Sequence, residues 1–100
     1  MARNERIRET KREVLRILNA TEKNLDNELK ALREIFSMRA SNLISQRKKA
    51  KKNKEDSREI DSKISKLNKD YAKEVYLTEE RVLAEGVREL QEAARLLLKL

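Results

Sequence analysis

One hundred residues suit a single domain, and with no Pro, no Cys, no His and one Gly the chain lacks the punctuation of strands and tight turns and should be entirely helical. The same absences remove the neutral-pH acid–base side chain, the thiolate nucleophile and the thiolate or imidazole metal site, so catalytic triads and zinc centres drop out together. At 43% charged and 38% hydrophobic the composition approaches that of disordered chains. Its Leu, Ile and Val nevertheless recur at helical spacing, which favours a folded protein.

The first segment, residues 2–18, repeats an acid-then-base pair at i, i+3: Glu5 with Arg8, Glu9 with Arg12, Glu13 with Arg16. Such pairs add about 0.2–0.5 kcal/mol each to an exposed helix. Ile7, Val14, Leu15, Ile17 and Leu18 form its expected buried side. At Asn19-Ala20-Thr21-Glu22, Asn19 is placed to cap a new helix with Glu22 three residues on. The alternative is no break: Ile7, Leu18, Leu29 and Ala40 recur every eleven residues, as do Val14, Leu25 and Phe36, and that period suits one straight helix. Asn19-Ala20-Thr21 also spells an N-glycosylation acceptor, which without a secretory signal is read as coincidence.

The second segment, from Thr21 to Lys54, carries Leu25, Leu29, Leu32, Ile35, Phe36, Leu43 and Ile44 on one stripe, thinning after Ser37. It ends in the basic run from Arg47 to Lys54. A third helix is expected from about Ser57, with Asp56 as N-cap, Glu59 three residues later, and a seam of Ile60, Ile64, Leu67, Tyr71 and Val75. A fourth is expected from Thr78, with Glu79 and Glu80 at the positive end of the helix dipole and a seam of Leu83, Gly86, Leu90, Ala93, Leu97 and Leu100. Short connections between amphipathic helices make neighbours antiparallel. The expected architecture is therefore an all-α, up-down antiparallel bundle of four helices in one domain, residues 1–100, or of three if the first two are continuous.

No Gly-rich loop cradles a phosphate, and the carboxylates lack the Glu-x-x-His spacing of metal bundles. A non-enzymatic chain without cofactor is expected. Neither a signal peptide nor a membrane span is legible, which fits a cytoplasmic or recombinant protein. The run Arg47, Lys48, Lys49, Lys51, Lys52 and Lys54 holds six of the positive charges behind a net +7. It is a candidate for non-specific nucleic acid or polyanion binding, or simply a solvated helix end facing the negative pole of the dipole. None of the three aromatic residues lies within it to stack on bases.

The paired charges, the Thr-Glu-Glu start and the Ala- and Leu-rich finish give the sequence the style of computed or engineered helical bundles, which it resembles throughout its length rather than through any motif. That resemblance implies a scaffold presenting a binding surface. Ser37 to Lys73 departs from the idealised pattern, with many Ser and Asn residues that sacrifice helix propensity. Such departures tend to fall at functional positions. The expected protein-binding face lies on the second and third helices and their connection: Arg39, Asn42, Gln46, Lys49, Asn53, Lys54, Arg58, Asp61, Ser62, Ser65 and Lys69. Its partner would be a receptor, an antibody or the chain itself. Leu96, Leu97, Leu98 and Leu100 cannot all face one seam, so weak self-association through the C-terminal leucines is also expected.

Overall fold

The computed structural model describes residues 2–99, with Leu97 described in its backbone only. Two helices account for it: α1, Ala2–Lys52, of 51 residues, and α2, Arg58–Leu98, of 41 residues. This overturns the four-helix bundle and the three-helix alternative alike. Asn19-Ala20-Thr21-Glu22 and Thr78-Glu79-Glu80 lie within continuous helix. Physical cost explains why. Breaking a helix opens two new ends, each with four backbone groups to satisfy, whereas keeping Asn or Thr in the interior costs no more than about 0.7 kcal/mol per residue relative to Ala.

The eleven-residue period governs both helices. In α1, Thr10, Thr21, Leu32 and Leu43 form one row, and Val14, Leu25, Phe36 and Arg47 another; in α2 the rows are Ile60, Tyr71, Val82 and Ala93, and Ile64, Val75 and Gly86. Each of these residues is buried or half-buried. A repeat of eleven corresponds to about 3.67 residues per turn, close to the natural 3.6, so the seam drifts little along a helix. Such a seam is narrow and can be covered by one partner helix. A four-helix bundle would need a wider stripe.

The correction reaches individual residues. Leu15, Leu18, Ile35, Ile44 and Leu83, all expected inside, are between 46 and 60% exposed, while Val82, the residue before Leu83, is buried. The third-helix seam from Ile60 to Val75 is half-buried as expected. The expected places of the Leu97 and Leu100 side chains lie outside the described residues.

The chain divides into two compact units. The terminal unit comprises Met1–Asn27 with Thr78–Leu100, and the turn unit is Glu28–Leu77. Each consists of a segment of α1 packed antiparallel on a segment of α2. In the terminal unit the helices approach closely at Gly86, where a Cβ would stand 2.6 Å from Thr21 Oγ1 and 2.8 Å from its Cγ2. The Thr10 hydroxyl, also on the seam, donates to the Arg6 carbonyl at 2.8 Å and so carries its own acceptor into the contact. Glu13 and Arg16 close the expected i, i+3 pair, Arg16 Nε lying 3.0 and 3.1 Å from the two carboxylate oxygens. The hydrogen bond from Arg16 holds the Glu13 carboxyl below its ordinary pKa, and Glu13 in turn raises that of Arg16.

In the turn unit, Phe36 packs on Tyr71 with ring centroids 5.1 Å apart and planes tilted by 46°. The chain reverses between Lys52 and Arg58, where no large apolar residue falls between Ile44 and Ile60. Helix α1 ends in a Schellman motif: Glu55 N–H donates to the Ala50 carbonyl at 2.7 Å and Lys54 N–H to that of Lys51 at 3.2 Å. Lys54 occupies the left-handed position usually held by Gly, at φ 57°. A side chain there costs about 1–2 kcal/mol, partly offset by the greater unfolded-state freedom of Gly. Lys54→Gly should therefore raise stability by roughly 0.5–1 kcal/mol, measured by urea denaturation. A loss of stability would show that the Lys54 side chain makes a compensating interaction.

Asp56 begins α2 as expected. Its Oδ1 accepts from Arg58 N–H at 2.9 Å, and the Arg58 guanidinium Nε lies 3.0 Å from Oδ2. The guanidinium first and the backbone N–H second depress the Asp56 pKa. A depressed carboxylate contributes stability above its unfolded pKa, about 3.9, and that contribution is lost as pH falls through the folded value. Asp56→Asn retains a good cap without the titration. The variant should melt lower than the parent at neutral pH, and the difference should shrink on acidification below about pH 4. A difference independent of pH would rule out the charge as its source.

Candidate functional site

All of the residues expected on the protein-binding face or in the polyanion-binding run lie in the turn unit, whereas the C-terminal leucines expected to self-associate belong to the terminal unit. The turn unit carries 14 basic and eight acidic residues, +6 of the chain's net +7. The structure does not gather the candidates on one surface. In an antiparallel helix pair, residues immediately preceding each seam position on both helices share one flank, and residues immediately following share the other. Arg39, Asn42, Gln46 and Lys49 lie on the preceding flank, and Asp61 and Ser65 on the following flank. Ser62 and Lys69 lie on the outer side of α2. Asn53, Lys54 and Arg58 belong to the turn and its exit, and all but Arg58 lie outside α1 and α2. Every one of these residues is exposed.

On the preceding flank Arg39 and Asn42 meet Lys63, Lys66 and Asp70 from α2 around an open groove whose floor is Leu43 and Leu67. Arg39 is positioned by the Phe36 ring, over which its guanidinium carbon sits 5.4 Å from the centroid. A cation on an aromatic face keeps its outward donors available while its inward face is packed. Lys63 lies 3.7 Å from Glu59 one turn before it, an exposed pair of the kind that contributes little stability. Lys63, Lys66 and Asp70 were not among the sequence candidates. Carrying the eleven-residue frame from α1 into α2 would have found them, because each immediately precedes a seam residue: Ile64, Leu67 and Tyr71.

The basic run is split in a different way. Arg47 is half-buried on the seam, and its Nε donates to Asp61 Oδ1 at 2.6 Å. Asp61 also accepts from the Ser57 hydroxyl at 3.4 Å. The two candidates Arg47 and Asp61 are therefore engaged with each other in a partly exposed ion pair, worth about 0.2–1 kcal/mol. Lys48 and Lys51 line a groove on the following flank with Ile44, Arg47, Asp61 and Ile64. Lys49 faces the opposite flank, Lys52 the outer side of α1, and Lys54 the turn. The run encircles the helix end instead of forming a stripe, so its charge acts as a diffuse field.

Among the described residues no group of three or more His, Cys, Asp or Glu is placed to hold a metal ion. Among them, too, no helix is long and apolar enough to cross a membrane. Comparisons with protein-family models, curated proteins and solved structures gave no match for this chain.

Proposed function

We propose that this chain is a non-enzymatic helical protein-binding module in the style of engineered scaffolds, and that its partner surface is the preceding flank of the turn unit. The observation that supports this reading is the groove in which Arg39, Asn42, Lys63 and Lys66 surround an apolar floor of Leu43 and Leu67. An apolar centre rimmed by polar groups, with Arg held on an aromatic ring, has the make-up of protein interfaces. The excess of cations selects an acidic protein surface as the partner, with charge speeding and orienting the encounter.

Charge segregation supports a second reading, in which the cations around the end of α1 hold nucleic acid or another polyanion by counterion release. Capture from mixed proteins and from nucleic acid at two salt concentrations separates the two. Replacing Arg39, Asn42, Lys63 and Lys66 with Ala should abolish protein capture while circular dichroism shows unchanged helicity. If binding is instead to nucleic acid, falls steeply with salt and is lost only when Lys48, Lys49, Lys51 and Lys52 become Ser, the second reading replaces the first.

A further inference from the structure

The terminal unit has two flanks of opposite character. On the preceding flank, Glu13 and Arg16 face Arg88, Glu89 and Glu92 across a charged groove. The following flank carries Leu15, Leu18, Leu83, Val87 and Leu98, which are 60, 48, 49, 52 and 86% exposed, with Leu90 half-buried among them. Exposed apolar groups in one contiguous face mark an interaction site.

Two observations identify what covers it. The first is the thinness of the core: among the described residues the buried hydrophobics of the terminal unit are Ile17, Val82 and Ala93. A second helix pair laid on the leucine flank would supply the layer that the terminal unit lacks. The second observation is charge. Arg8 and Lys11 continue the same flank beyond Leu15, and Glu22, Asp26 and Glu79 continue it beyond Leu18 and Leu83. The apolar face therefore has a basic end and an acidic end and is complementary to its own reversed copy.

We infer that the leucine flank of the terminal unit binds a second copy of this chain about a two-fold axis that crosses the helices, so that the basic end of each copy meets the acidic end of the other. A two-fold contact uses the same patch on both copies, which a bipolar face satisfies only in this orientation. In the like-ended arrangement Arg8 and Lys11 would oppose their own copies. The flank from Arg8 to Asp26 is about 27 Å long and two helices, about 20 Å, wide. This footprint lies at the small end of specific interfaces, so the dimer should dissociate on dilution.

Sedimentation equilibrium from low-micromolar to millimolar protein, with helicity followed in parallel, tests the inference. The parent should pass from monomer to dimer, and Leu83→Glu with Val87→Glu should hold it monomeric. Surface charge variants keep the test decisive if that pair unfolds. Arg8→Glu with Lys11→Glu makes both ends acidic, and Glu22→Lys with Asp26→Lys makes both basic. Each should be monomeric alone, and an equimolar mixture should form the heterodimer. A parent monomeric at every concentration overturns the inference, as does a dimer indifferent to these four charges or occupation of the flank only by a different protein.

Discussion

Phe36→Ala should destabilise the chain by about 3 kcal/mol, the lower part of the range for truncating a buried aromatic side chain. The variant removes a ring that fills the turn unit between the helices. With it go the tilted stack on Tyr71, worth about 0.5–1.5 kcal/mol beyond area, and the support under Arg39. The control is Met38→Ala, two residues away and 71% exposed, which should stay within about 0.5 kcal/mol of the parent. Urea denaturation at one fixed protein concentration makes the comparison. Equal effects at the two positions would mean that the Phe36 contact contributes nothing specific.

A comparable effect is expected from the smallest change available in the terminal unit. Gly86→Ala improves helix propensity by up to about 1 kcal/mol, so a helix considered alone would gain. Packing opposes it: the added methyl would lie within 3 Å of two Thr21 side-chain atoms. Thr21 is β-branched and stiff, and relief requires the helices to separate, at a cost of about 1–3 kcal/mol. The net expectation is a loss of roughly 1–2 kcal/mol. Adding Thr21→Ala removes both of those atoms, and the double variant should recover to the parent's stability or exceed it. A single variant more stable than the parent would show that the approach at Gly86 is looser than these distances imply.

The helical class, the Asp56 start of the return helix, the seam from Ile60 to Val75 and the inward place of Gly86 were all legible in the sequence. Each depends on local chemistry or on spacing within a few turns. The number of helices was not, because Asn19 and Thr78 are good caps only if the chain has reason to break there. The eleven-residue recurrence already visible in Val14, Leu25 and Phe36 was the better guide, and the same period in Ile60, Tyr71, Val82 and Ala93 decides against a break at Thr78. Leu15, Leu18 and Leu83 misled for a related reason. Hydrophobicity alone assigns a leucine to the core, whereas the seam register assigns these three to a flank. Residue type nominates polar binding candidates but does not specify a flank. Asp61 and Arg47 could not have been paired without knowing that the chain returns antiparallel after Lys54.

The eleven-residue row has a further consequence for what this sequence can tolerate. Inserting one residue into α1 would rotate everything beyond it by about 100° and carry the row away from its partner. Eleven residues make just over three whole turns, so a block of that size added to α1, with a matching block in α2, returns every later side chain to nearly its former direction. Length is thus an adjustable property of the chain in steps of about 16 Å per helix, and lengthened or shortened relatives would differ in span while keeping the same cross-section.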